Sequence, residues 1–434
     1  VINEQQPQEH GGKAPASLKR SRWKSRWYYF KRNVIHGNWH SRGAYFKHIA
    51  ASAVRRTRRE ASASIVADLE MVVDRLQRCK RGQLIVFPAT VDFSFMKQRP
   101  QWLAEGLAKQ GFVVVYNSRN HQTDRVRVIE EPTENLFVLN EKYLEQLSLM
   151  VPHHRVLLFC IWPNNARYLD YLKPKVLLYD FLDDLSLLDL PEEEIDFLHR
   201  KMLHEADVIT VTSRKLKDGI DDEFQGKVSL LPNAVSQQFL DAFKERHPTP
   251  PVLAAFKGST VIGYVGAIAP WVDFDLLTRI ATSCSDYRLV LIGPIDDGVL
   301  VDARQLEALP NVLILPVMPH ADLPPFLKAF DLCIIPFKKN EVTDAVSPVK
   351  VYEYFAAGKP VISTNIAECE KLSLVRTVNT HASFIDAIEP AISKEICQSE
   401  IQEFVNSNTW DKRVAKISTL IDASVEVDEE MVDS

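Results

Sequence analysis

Lys350 and Glu353 stand three residues apart in Ser347-Pro348-Val349-Lys350-Val351-Tyr352-Glu353-Tyr354-Phe355-Ala356-Ala357-Gly358-Lys359-Pro360-Val361. In a helix that spacing puts both side chains on about the same face, one turn apart. The free backbone N–H groups of a helix start attract anions, and Lys350 adds a point charge in the first turn. A phosphate-seeking corner beside a carboxylate able to hold a ribose diol is the equipment of a nucleotide-sugar site.

The flanking residues supply the elements. Ser347 is a good N-cap type, and Pro348 suits the first helical position. Val349 to Ala357 is helix-permissive, Gly358 is a natural stop, and Pro360 prevents resumption. Val361 to Thr364 then reads as a short buried strand. The run as a whole resembles the donor-site signature of glycosyltransferase family 4-like enzymes of the GT-B fold.

Strand and helix alternate from Leu84 onward, the sign of a parallel α/β sheet. Strands are expected at Leu84–Pro88, Phe112–Tyr116, Leu136–Leu139, Val156–Ile161, Val176–Tyr179, Val208–Thr212 and Val228–Leu231. A helix is expected over Arg99–Gly111. Residues 234–258 are linker-like, with Pro248, Pro250 and Pro251. A second alternation starts at Val261–Gly266 and continues through Leu289–Ile292, Val312–Leu315, Leu332–Ile335 and Val361–Ser363. The expected fold is therefore α/β: two Rossmann-like doubly wound halves facing a cleft, with ligands at the carboxyl ends of the strands. The expected domains are a basic arm, 1–82; an acceptor half, 83–245; a donor half, 246–408; and a terminal segment, 409–434. That segment comprises a helix near 409–421, which in proteins of this resemblance packs back across the first half, and an acidic, frayed tail from 425.

The other candidate residues sit at strand ends. Gly263 and Gly266 let a phosphate or ring approach the backbone, and the Gly266 turn resembles that of the same family. Trp271 reads either as a stacking surface for a base or as packing, and Asp273 as a helix cap or a ligand group. Gly293 and Pro319-His320 lie in turns that approach the nucleobase in relatives; His320 reads equally as a surface residue. In the first half, Asp180, Asp183 and Asp184 follow a strand. A cleft role (base or acceptor hydroxyls) is read for Asp183 and a capping role for Asp184. Arg99, at a helix start resembling bacterial relatives, is a candidate for a phosphate of donor or lipid-linked acceptor. Trp162 is a candidate acceptor wall.

The resemblance implies a transferase that moves a sugar from a nucleotide diphosphate-sugar to a glycan or lipid-linked acceptor, with retention, in bacterial surface polysaccharide assembly. Gly266, Trp271, Gly293, Ser347, Lys350 and Glu353 are read as the donor set, Trp271 from its own ring and not from the resemblance. No metal and no cofactor beyond the donor substrate is expected. Two departures stand out. Many retaining relatives carry a second glutamate eight positions before Glu353, where this chain has Ala345; Asp344 is the nearest acid and Glu341 is close. Many also have a basic residue after the second glycine, where this chain has Ala267. These departures keep open a degenerate GT-B binding or scaffold domain, and the acids at 180, 183 and 184 keep open a nucleotide-sugar epimerase.

Composition bounds the rest. The 434 residues are 46% hydrophobic and 25% charged, ordinary for a globular chain of two or three domains. Six scattered cysteines show no zinc spacing, and Cys160 and Cys333 sit in apolar strand-like runs, which fits a reducing compartment. No apolar run reaches membrane-spanning length and no signal peptide is evident, so the expected location is cytoplasmic, peripheral to the inner membrane. The chain begins with Val1, as a piece of a longer polypeptide would. Residues 1–81 carry 18 Lys/Arg and 6 Asp/Glu, a net +12, while the remainder carries 34 and 51, a net −17. Residues 1–18 read as disordered, and 19–60 mix basic residues with aromatics. That arm suits an anionic membrane surface or an acidic neighbouring domain; nucleic acid is the weakest of the three readings.

Overall fold

The computed structural model describes residues 63–188, 190–394 and 397–432. The basic aromatic arm, apart from its last residues, lies outside them, and so does its expected partner surface. Helix α1 (Ala63–Arg78) leads into the first half and packs Leu69, Val72 and Leu76 into its core.

The first half is an eight-stranded sheet. Its strands are β1 (Leu84–Phe87), β2 (Val113–Ser118), β3 (Ile129–Thr133), β4 (Leu136–Asn140), β5 (Val156–Cys160), β6 (Val176–Phe181), β7 (Val208–Val211) and β8 (Val228–Leu230). The order is β3-β4-β2-β1-β5-β6-β7-β8, parallel throughout except for the antiparallel β3–β4 pair. Strands β1, β2 and β5 are buried along their whole length, as continuous Val/Ile/Leu/Phe runs in a doubly covered parallel sheet must be. Helix α2 (Arg99–Lys109) connects β1 to β2, with Leu103, Ala104 and Leu107 against the sheet.

Helices α3 (Glu192–Glu205), α4 (Arg214–Asp218) and α5 (Gln237–Ala242) complete the first half and start the crossing. The second half is a six-stranded, wholly parallel sheet: β9 (Val261–Val265), β10 (Arg288–Ile292), β11 (Val312–Leu315), β12 (Leu332–Ile335), β13 (Val361–Thr364) and β14 (Val375–Val378), in the order β11-β10-β9-β12-β13-β14. Helix α6 (Phe274–Ser283) follows β9 and α7 (Val349–Ala356) precedes β13.

Two strands escaped the sequence reading. Ile129–Thr133 carries Glu130, Glu131 and Pro132 and is largely exposed at the sheet edge, so no apolar alternation marks it. Val375–Val378 holds Arg376 and Thr377 at the opposite edge of the other sheet. The terminal helix α8 (Trp410–Val432) is a correction. The backbone stays helical to Val432 where a frayed tail from 425 was expected. Trp410, Val414, Ile417 and Ile421 make its apolar stripe at 3.6-residue spacing, and the stripe packs on α2 and the first-half core. Gly106 of α2 admits this crossing, because a methyl there would lie 2.3 Å from Val414 Cγ2.

Candidate functional site in the cleft between the halves

The signature helix α7 is held against the strand ends of the second half. Its Tyr354 and Phe355 are buried, and the Tyr354 hydroxyl accepts the Val265 N–H at 2.8 Å and donates to the Val265 carbonyl at 3.4 Å. This ties α7 to the end of β9. Pro348 occupies the cap position with φ −69° and ψ 108°, so the cap falls one residue later than expected and the helix begins at Val349. Ser347 does not cap. As the residue before a proline it is steered away from the helical region. Its hydroxyl accepts from the Asn233 N–H at 3.3 Å, and its carbonyl accepts from Asn233 Nδ2 at 2.9 Å.

Glu353 is 4% exposed. Its Oε2 accepts from Lys350 Nζ at 2.6 Å, and its Oε1 lies 3.0 Å from His320 Nε2. Burial works to raise its pKa, but Lys350 and then His320 outweigh it and hold the carboxyl at about 2. The sequence reading left His320 between a surface residue and a base contact. In the structure its ring also stacks on Phe239 of α5, with centroids 4.1 Å apart. The spacing of Lys350 and Glu353 was legible in the sequence; the arrival of His320, 33 residues upstream, was not.

Gly266 and Gly293 come together. Gly266 has φ +159° and Gly293 φ +157°, and a Cβ on Gly293 would lie 1.9 Å from the Gly266 carbonyl oxygen. Gly263 is glycine for packing, since a Cβ there would meet the Phe330 ring at 1.9 Å. The sequence reading gave Gly263 and Gly266 to a ligand; the backbones and Phe330 demand glycine first. Trp271 is half-buried against the core of the second half, and its carbonyl accepts from Lys338 N–H at 2.8 Å. Asp273 is a cap: Oδ1 accepts from Leu276 N–H at 3.0 Å, and Oδ2 lies 2.8 Å from His381 Nε2.

Asp344 belongs to a short helix, Glu341–Asp344, and its Oδ1 accepts the Ala367 N–H at 3.3 Å. Ala345, where relatives carry the first glutamate, is fully buried and packs with the first-half core. The two halves are further joined by Glu368, 6% exposed, whose carboxylate accepts the Arg214 N–H at 2.6 Å and meets its guanidinium at 3.2 Å. Lys215 Nζ donates to the Glu341 carbonyl at 2.8 Å.

In the first half two expectations are corrected. Arg99 is 5% exposed and makes two 2.8 Å bonds to the fully buried Asp180, which also accepts from Thr210 Oγ1 at 2.5 Å. Its charge is spent inside the protein, because a buried guanidinium requires a partner, and no phosphate reaches it in this geometry. Arg99 Nη1 also donates to the Pro232 carbonyl at 3.4 Å, and Arg413 of α8 reinforces that carbonyl at 2.8 Å. Arg99 therefore anchors the crossing segment whose next residue, Asn233, holds Ser347. Trp162 is 6% exposed and belongs to the first-half core, so it forms no acceptor wall. Asp184 caps the turn Leu185–Leu187 as expected, accepting the Ser186 N–H at 2.9 Å. Asp183 is half-buried beside it.

Among the described residues no helix is long and apolar enough to cross a membrane, and no cluster of three or more His, Cys, Asp or Glu is placed to hold a metal ion.

This geometry has known counterparts. Sucrose-phosphate synthase from Thermosynechococcus elongatus superposes with a TM-score of 0.62 at 14% identity, covering 79% of this chain and 98% of that one. The Anabaena protein HepE in complex with UDP and glucose superposes at 0.55 and 14%, covering 78% and 99%. In sequence, the chain is 30% identical over 175 residues to a putative teichuronic acid biosynthesis glycosyltransferase, TuaH, of Bacillus subtilis (strain 168). That match takes in 40% of this chain and 44% of the relative, so the chain spans less than half the length of the curated relative it matches. The family model described as glycosyl transferases group 1 matches residues 259–394, the stretch that holds β9 to β14 and the Lys350–Glu353 pair. Residues 259–394 thus match the glycosyl transferases group 1 model, within a chain of GT-B fold.

Proposed function

We propose that this protein is a glycosyltransferase that takes a sugar from a nucleotide diphosphate-sugar and passes it to a glycan or lipid-linked acceptor in surface polysaccharide assembly. The observation that carries the reading is the Glu353 carboxylate in the second turn of α7, buried and held ionised by Lys350 and His320. An ionised acceptor pair of oxygens is suited to a ribose diol, and the Lys350 ammonium and the α7 N-terminus are suited to the diphosphate. In transfer, the anomeric carbon–oxygen bond to the diphosphate breaks and one to an acceptor hydroxyl forms. The acceptor proton is taken up and the nucleoside diphosphate leaves. Charge developing on the leaving oxygen is met by the helix N-terminus and Lys350. Asp183, on the opposite half, is the acid we assign to the acceptor hydroxyl. The polysaccharide context is supported by the TuaH match, and the UDP and glucose of the HepE complex support a nucleotide-sugar donor.

A thermal-shift panel of nucleotides and nucleotide sugars tests this. Ligand at about a hundred times Kd adds near 2.7 kcal/mol, so one nucleotide family should raise the melting temperature. A folded sample that responds to none would sink the donor reading. Ala345 favours a second reading, a donor site without turnover: a buried methyl replaces the glutamate of many retaining relatives, and it packs on the opposite half. Donor binding without sugar release or transfer is the outcome that would select it.

A further inference from the structure

Both oxygens of the Glu353 carboxylate are taken. Oε2 accepts from Lys350 Nζ at 2.6 Å, Oε1 lies 3.0 Å from His320 Nε2, and the side chain is 6% exposed. An ionised carboxylate only accepts, so Nε2 carries the hydrogen of the His320 bond. A ribose diol brings two O–H donors and needs acceptor lone pairs that it can reach. A carboxylate covered to this extent does not present them while both partners stay in place, so one partner has to move.

The contacts say which. Lys350 is on the same helix, one turn earlier, with the shorter bond and a full charge, and its side chain is 27% exposed. His320 comes from another segment, the helical turn His320–Asp322 after β11, and its side chain is 39% exposed. One face of the ring rests on Phe239 of α5, with centroids 4.1 Å apart and planes at 29°. Phe239 is 2% exposed, stands edge-on to Phe243 at 5.1 Å, and donates its N–H to Ser236 Oγ at 3.1 Å. The wall behind the imidazole is therefore fixed, while the imidazole itself borders solvent. Turned from Glu353, its N–H is met by water and leaves no buried polar atom unpaired.

We propose that His320 is a gate on the donor carboxylate. It satisfies Oε1 of Glu353 until a ribose hydroxyl takes its place, and then turns to solvent. The inference rests on the reading of Glu353 as the donor carboxylate. A buried carboxylate oxygen left without a donor is costly, which is the physical reason for a stand-in. The exchange keeps the number of hydrogen bonds, and an O–H makes a shorter and stronger bond to a carboxylate than the imidazole N–H does at 3.0 Å. Only the fraction of molecules with His320 turned away accepts the diol, so the gate lowers the apparent affinity by that fraction. A nucleotide without ribose hydroxyls makes no such demand and is indifferent to it.

Calorimetry and NMR on the full chain test this with two probes: the nucleoside diphosphate that binds best among the common bases, and its 2′,3′-dideoxy analogue. His320→Ala should tighten the ribonucleotide about fivefold, the worth of one exchanged hydrogen bond, and leave the analogue unchanged. His320→Gln, which can place an amide N–H on the same oxygen, should stay near wild type. In the wild-type protein the His320 ring signals, assigned by their absence from the His320→Ala spectrum, should shift on saturation with the ribonucleotide and hold still with the analogue. If His320→Ala weakens both probes alike, the histidine is structural; if it weakens the ribonucleotide alone, the histidine keeps its place in the bound site. Either result overturns the gate. So do ring signals that ignore the ribonucleotide or follow both probes equally. Failure of the donor reading looks different: neither wild type nor His320→Ala binds any nucleotide, and the gate falls with it.

Discussion

Arg99 and Asp180, 81 residues apart in sequence, meet through two 2.8 Å bonds in the interior of the first half, with Arg99 5% exposed and Asp180 fully buried. Removing one partner leaves the other charged and buried, which costs about 3–5 kcal/mol, whereas an apolar pair of similar volume is close to neutral. Arg99→Met and Asp180→Leu should each lower the urea midpoint strongly, and the double variant should recover much of the loss. Additive losses in that cycle would mean the two residues act independently. Arg99 also grips Pro232, so the single variant should weaken donor binding through the Asn233–Ser347 contacts.

Gly293 is the second position with a firm expectation. A Cβ would meet the Gly266 carbonyl oxygen at 1.9 Å, on a backbone with φ +157°. Overpacking of this kind costs about 1–3 kcal/mol, and here rigid backbone must move. Gly293→Ala should lower the melting temperature and, if the proposed donor site includes these turns, reduce nucleotide affinity. Gly226→Ala has open space around it and should change neither. Equal behaviour of the two variants would show that the turns are not tightly coupled.

The Glu353 carboxyl titrates at about 2 in the folded chain against an ordinary 4.5. A depressed carboxyl pKa contributes stability that is fully present above 4.5 and is lost as pH falls through about 2. Glu353→Gln should therefore flatten stability against pH across that window, measured by urea unfolding at stepped pH. It should also weaken donor binding, as should Glu353→Ala, by about tenfold or more, the value of a lost charge-assisted bond. Glu341, exposed on its short helix, should tolerate Ala with little change. The reverse order in calorimetry would mean the donor site lies elsewhere.

Glu368 joins the halves by accepting the Arg214 N–H at the first residue of α4. Glu368→Gln keeps the shape and removes the charge. Hydrogen exchange at Arg214 should quicken, and scattering should report a larger radius of gyration if this contact holds the cleft closed. An unchanged exchange rate would leave Ala345 packing and the Lys215–Glu341 bond as the principal contacts between these loops.

The arm requires a separate measurement. Deleting residues 1–60 removes most of the +12 excess and no part of the two sheets. Nucleotide affinity should be unchanged, while pelleting with anionic vesicles or association with a partner protein should fall. If both persist undiminished, the arm has neither role.

How much of this was legible in advance depends on the range of the interaction. The strands that fill the sheet centres, such as Leu84–Phe87 and Val361–Thr364, announce themselves because burial on both faces demands continuous apolar runs. Lys350 and Glu353 were legible because one helical turn relates them. The edge strands Ile129–Thr133 and Val375–Val378 were not, since an edge exposed to solvent tolerates Glu, Pro and Arg. Arg99 and Trp162 were misread for the same reason in reverse: a charge or an aromatic ring at a loop looks available until its burial is known.

The sequence by itself determined the two α/β halves and the placing of Lys350 and Glu353 on one face of a helix, because periodicity and turn chemistry act within a few residues. Only the tertiary structure decided which charges are spent inside the protein and which face the cleft. It paired Arg99 with Asp180, brought His320 to Glu353 and set Gly293 on Gly266. Each of those depends on desolvation and close approach between segments far apart in the chain, and neither quantity exists until the chain has folded.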